Sequence, residues 1–212
     1  HSGERETVHL WVVTTEHGAQ VGPRAGANGR TVICADSIKP YTPLKVEILN
    51  GSQTAMVPVA YLGGRDTVGE AMADKTIGKY VRDFIFDEVN PTIDLPQDQM
   101  VAFANSVIER YQNPFIRHEL MSIALNSTTK FKTRLLPTLL DYVRINGKLP
   151  AHLIFSYAAI IEFHKGKRGN EDIALKDDPS YLAFWHRLWA DFDGDYLAMA
   201  KKVLAWDEAW DM

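Results

Sequence analysis

From about residue 44 to the end of the chain, apolar residues recur at three- and four-residue spacings and prolines mark where the runs restart. A chain written this way folds as packed helices. The clearest stripe is Ile77, Tyr80, Val81, Phe84, Ile85 and Val89, with Asp74 positioned to cap it. Pro96, Pro150 and Pro179 each stand just ahead of an amphipathic run. A missing N–H costs nothing there, because the first turn has no intrahelical partner for it. Ser127 precedes a run carrying Phe131, Leu135, Leu139 and Tyr142, which Pro137 is expected to kink or split. Asp193 is expected to cap a last helix ending near Trp206, and residues 166–170 (GKRGN) read as a mobile polar loop. Ahead of the helices, residues 8–15 (VHLWVVTT) and 31–35 (TVICA) read as two strands separated by a Gly- and Pro-containing stretch. The expected fold is therefore mainly α: a multi-helix domain over 43–212, led by a short two-stranded β element within 1–42.

Composition narrows the function. The 212 residues are 46% hydrophobic, with five Trp and nine Phe, enough for an ordinary buried core. A net charge of -4 with both signs interspersed leaves no basic stripe, which argues against nucleic acid as a partner. No apolar run approaches the ~20 residues a spanning helix needs, so no membrane partner is expected. The single cysteine, Cys34, fits a reducing cytoplasm. The chain opens on His1 with neither a signal-type apolar core nor a transit pattern, which reads as an internal start.

No cluster of His, Cys or carboxylates has metal-ligand spacing. The adjacent pairs Asp87-Glu88 and Asp177-Asp178 read as solvated, and His152, His164 and His186 as ordinary surface or core residues. Trp185, Trp189, Trp206 and Trp210 read as core packing.

The polar residues hardest to explain as surface lie in KVEILNGSQTAMV, residues 45–57. Wound as an α-helix at about 100° per residue, Lys45, Gln53 and Asn50 fall near about 0°, 80° and 140°. Leu49, Met56, Val46 and Val57 share that arc. A buried ammonium or amide is costly unless paired, so this face is either a satisfied structural network or the wall of a polar pocket.

The stretch KVEILNGSQTAMVPVAYLGG, followed by NPFIRHELMSIALNSTTKF, resembles the C-terminal domain of the long-chain mannitol dehydrogenase family. The resemblance implies a helical domain of the 6-phosphogluconate-dehydrogenase-like C-terminal type, partnered by the protein's own N-terminal Rossmann domain, with the active site in the cleft between them. It implies NAD as cofactor, bound mainly by the other domain; no G-x-G-x-x-G follows a strand in this sequence. Lys45 matches the family's general acid/base, and Asn50 the amide that steadies charge on the reacting oxygen. A lysine works as a base near neutral pH only when desolvated, and Leu49 and Met56 are the neighbours expected to shield it.

Gln53 stands where the family usually has histidine; an amide can donate a hydrogen bond there but cannot carry a proton. Lys130 matches a lysine near the substrate, and Arg117, His118, Lys132 and Arg134 add positive charge nearby in sequence, Lys132 and Arg134 being equally readable as a solvated face. Ser122 sits where polyol-specific relatives are expected to carry arginine, which favours a sugar acid, altronate with its keto form tagaturonate, over mannitol or fructuronate. The chain alone is expected to have no turnover. The other class of reading is a free-standing helical binding module that kept the fold and lost the reaction, as Gln53 suggests.

Overall fold

The computed structural model describes residues 10–14, 22–25, 31–35 and 41–210. Strands β1 (Leu10–Thr14), β2 (Gly22–Ala25) and β3 (Thr31–Ala35) form a sheet of order β1-β3-β2. β3 runs parallel to β1, with Thr31 opposite Leu10, and antiparallel to β2, with Cys34 opposite Gly22. The two expected strands are joined by a third from the connection between them. Its Pro23 is tolerated because β2 is an edge strand, with one side free of ladder hydrogen bonds.

The helical part opens with a π-wound segment, Leu44–Gly51, running straight into α1 (Ser52–Leu62). Then come α2 (Val68–Ala73), entered through a Thr67/Glu70 capping box, and α3 (Lys75–Asp83), whose first turn is capped by Asp74 as the sequence predicts. The stripe begun in α3 continues through a second π-wound segment, Phe84–Val89, burying Ile77, Val81, Phe84, Ile85 and Val89. Pro96 and Pro150 sit immediately before α4 (Gln97–Tyr111) and α8 (Ala151–Phe163). Between those lie α5 (Leu120–Ile123), α6 (Ser127–Arg134) and α7 (Leu136–Asn146). Pro137 splits the predicted run, entering α7 in its first turn where it breaks no ladder.

The 166–170 stretch is a hairpin tip, not a free loop: β4 (Lys167–Arg168) pairs with β5 (Glu171–Asp172). Arg168 pins it by pairing with Asp66 at 2.6 Å and covering the Tyr61 ring at 4.2 Å. α9 (Pro179–Ala190), α10 (Tyr196–Leu204) and α11 (Asp207–Trp210) close the fold. The cap of α10 is Asp195, which accepts from Ala198 N; Asp193 instead accepts from Asp195 N, two residues before the expected role.

α1 is the central element, burying Ala55, Met56, Val57 and Ala60 against α3, α5, α6 and α8. The tryptophans pack as expected: Trp185 is fully buried, stacked on His164 at 4.6 Å, and Trp206 stacks on Phe184 at 3.6 Å. No described helix is long and apolar enough to cross a membrane.

Two acidic pairs depart from the solvated reading. Glu88 is 3% exposed; its Oε1 accepts from His152 N (2.7 Å) and Nδ1 (2.9 Å), and its Oε2 from Leu153 N (2.9 Å). It thereby satisfies the open N–H groups at the start of α8. The Asp177 side chain, 1% exposed, does the same for α6, accepting from Thr128 N at 2.8 Å. Burial alone would push the Asp177 carboxyl up, but the hydrogen bonds from His164 and Thr128 hold it below its ordinary value. Asp178 caps α9 through Ser180 N, and only Asp87 is a plain exposed carboxylate. The partners are helix N-termini distant in sequence, which adjacency along the chain does not disclose.

Candidate functional site

The π-winding of Leu44–Gly51 changes the geometry of the polar set. In a π-helix each N–H reaches the carbonyl five residues back, so residues five apart become near-neighbours on one face. Lys45 and Asn50 have that spacing, and α-helical winding would have separated them by about 140°.

Side-chain hydroxyls secure the winding. Ser52 Oγ donates to the Ile48 carbonyl, Tyr111 OH to that of Leu49 at 2.7 Å, and Thr54 Oγ1 to that of Asn50 at 2.8 Å. Tyr111 is buried at the end of α4, and burial pushes its phenol well above the ordinary range, so it remains a donor. Gly51 packs against the end of α6, where a β-carbon would meet the Arg134 carbonyl oxygen at 3.4 Å. Glu47 anchors the far side of the segment, accepting from Thr138 Oγ1 at 3.2 Å and Thr92 Oγ1 at 3.4 Å. Burial raises its carboxyl pKa, with those two hydroxyls opposing.

Sequence reasoning did not single out Glu47, Ser52, Thr54 or Tyr111. The hydroxyls at 52 and 54, three and four residues from the carbonyls they cover, were the available signal.

Lys45 is exposed, while Asn50 and Gln53 are half-buried. Of the two neighbours expected to shield Lys45, Met56 is fully buried in the core and Leu49 packs partly against it, and Lys45 itself is exposed. None of these three side chains has a hydrogen-bond or ion-pair partner among the described residues, so they are not the satisfied network that was one of the two readings. The network that exists is the hydroxyl set beneath them.

α6 packs beside this segment and α1, and its Lys130 and Arg134 both lie near Thr54, two residues into α1. Lys130 is half-buried, donates to the Ile123 carbonyl at 2.7 Å and lines a small cavity with Thr54, Val57, Ile160 and Phe163. Desolvation and then Arg134 lower its pKa, against Asp177. Arg134 and Lys132 are half-buried too, so neither is a fully solvated residue.

Arg117 and His118 are not brought to this face. Arg117 is exposed and paired with Glu119 at 2.6 Å. The His118 carbonyl accepts from Val68 N at 2.9 Å, and Leu120 N donates to Asp66 O. Those bonds tie the segment to the loop beyond the C-terminal end of α1, about 16 Å of helix from the Asn50 end at ~1.5 Å per residue. Burial, followed by Arg110, lowers the His118 pKa.

Residues 37–207 match the family described as the mannitol dehydrogenase C-terminal domain. The chain belongs to that family. Among its relatives, the altronate oxidoreductase of Pectobacterium atrosepticum is 49% identical over 173 residues, covering 79% of this chain and 36% of the relative. That of Yersinia pestis is 43% identical over 198 residues, covering 93% and 41%. The chain thus spans about two fifths of the length of the family members it matches. The fold is shared with Pseudomonas fluorescens mannitol 2-dehydrogenase, solved as a ternary complex with NAD and D-mannitol: the TM-score is 0.74 at 24% identity, over 86% of this chain and 37% of that one. A D-sorbitol dehydrogenase in substrate-free form gives a TM-score of 0.69 at 20% identity, over 82% and 39%.

Proposed function

We propose that this chain is the substrate-side domain of an NAD-dependent oxidoreductase that interconverts altronate and tagaturonate, with Lys45 as general acid/base. The observation that carries the reading is the set of altronate oxidoreductase relatives at 43–49% identity, joined to an unpartnered Lys45 and Asn50 on one helical face. NAD, when bound, would supply the hydride acceptor for oxidation of the carbinol carbon, and NADH the donor for the reverse.

In oxidation, neutral Lys45 takes the hydroxyl proton as the C–H bond breaks; in reduction, the ammonium returns that proton to the oxygen. Asn50 donates a hydrogen bond to the same oxygen and stabilises the negative charge that develops on it. No residue of this chain is assigned to the dinucleotide. The exposed Lys45 face is the one that a nucleotide-binding domain, in the remaining three fifths of such a protein, covers.

The test is turnover by the protein carrying this chain together with its nucleotide-binding half, using NADH with tagaturonate, fructuronate and fructose in turn. Tagaturonate is expected to give the highest kcat/KM. No turnover with any of them would favour the binding-module reading, for which the amide at position 53 is the supporting observation.

Two substitutions probe the face. Lys130→Ala is expected to raise KM for altronate by about 10–100-fold, the worth of a charge-assisted hydrogen bond, and that for an uncharged hexitol far less. Equal losses on both substrates would count against carboxylate recognition. Gln53→His is expected to introduce an ionisation near pH ~6.5 into the kcat profile, because imidazole titrates there and an amide does not. An unchanged profile would remove position 53 from the reacting oxygen.

A further inference from the structure

Lys130 and Arg134 occupy successive turns of α6, on the helix that packs against α1 and the π-wound segment. Neither forms an ion pair with a carboxylate among the described residues. Lys130 Nζ uses the Ile123 carbonyl. The recorded hydrogen bond of the Arg134 guanidinium runs from Nη1 to the Thr54 hydroxyl at 3.4 Å, long and neutral for a group with five N–H donors.

Desolvation lowers the Arg134 pKa, and desolvation and then Arg134 itself lower that of Lys130. Half-buried like charges one turn apart repel, and Asp177 offsets this at Lys130 alone, so an anion placed between the two cations is favoured. Thr54 fixes where that anion would sit relative to the chemistry. It lies four residues, about 6 Å along the axis, from Asn50, a distance that several carbons of an open-chain sugar acid span.

We propose that Arg134 is a specificity-determining residue: its guanidinium takes the substrate carboxylate in a bidentate grip beside Lys130, and Thr54 is its partner when the site is empty. This deepens the altronate reading and rests on it for the identity of the anion. A planar guanidinium matches a carboxylate in a way that a lysine at the same position does not.

The experiment is calorimetric titration of the full-length enzyme with D-altronate, its uncharged counterpart D-altritol, and inorganic sulfate, for wild type, Arg134→Ala and Arg134→Lys. The preference for altronate over altritol is expected to fall about 10–100-fold in Arg134→Ala, with little recovery in Arg134→Lys. Sulfate binding is expected to be lost in Arg134→Ala. An unchanged preference, or equal weakening of both sugars, overturns the proposal and leaves Arg134 as a packing contact for Thr54. If wild type binds neither sugar, the altronate reading fails separately; sulfate then decides the anion site, and no Arg134-dependent sulfate binding overturns it.

Discussion

Replacing Lys45 by methionine is expected to lower kcat by about 10²–10⁴-fold in the full-length enzyme, the usual contribution of a positioned proton carrier. Methionine keeps the length of the side chain and removes the ammonium, and Lys45 has no packing or ion-pair role among the described residues, so stability is expected to change by less than about 0.5 kcal/mol. That combination separates chemistry from structure. Steady-state rates with altronate and NAD, read beside a thermal melt, measure both. A variant that keeps its rate within a few-fold removes Lys45 from the reaction; one that loses rate and melting temperature together assigns it to the fold.

The largest stability effect is expected at Glu88. Glu88→Ala leaves the His152 and Leu153 N–H groups at the start of α8 without their acceptor in a buried setting. Each buried donor left unpaired costs about 1–3 kcal/mol, so a loss of about 3 kcal/mol is expected, or roughly 6–12 °C in Tm for a chain of this size. Glu88→Gln, which retains one acceptor oxygen, is expected to lose about half as much. Urea titration of the three proteins checks the order. A Glu88→Ala variant as stable as wild type would mean that water replaces the carboxylate and that the α8 start is not sealed.

What the sequence discloses here is what depends on neighbours along the chain. Asp74 caps α3, Pro96 and Pro150 precede helices and Pro137 splits one, because each acts on its own turn. Asn50 and Lys130 lie on elements that pack together, the Leu44–Gly51 segment and α6.

What escapes is set by distant partners. The choice between α and π winding over Leu44–Gly51 is linked to Tyr111, about sixty residues on, and no periodicity records it. Shielding of Lys45 by Leu49 and Met56 is expected from α winding, and Lys45 stands exposed. Arg117 and His118 lie close to Lys130 in sequence, but their backbone bonds go to Val68 and Asp66, and the chain between them and Lys130 turns through α5. The buried states of Glu88 and Asp177 escape for the same reason, since the donors they meet lie 64 and 49 residues away.

The trio of Ser52, Thr54 and Tyr111 bears on timing as well as shape. A widened helical turn held only by its own backbone could relax toward ordinary winding whenever nothing occupied the face. Here three successive carbonyls of that turn, those of Ile48, Leu49 and Asn50, each accept from a hydroxyl group, one of them delivered by α4. On the roles proposed for Lys45 and Asn50, the turn that carries both is braced from α4 before any sugar arrives, and its reorganisation would add nothing to the barrier.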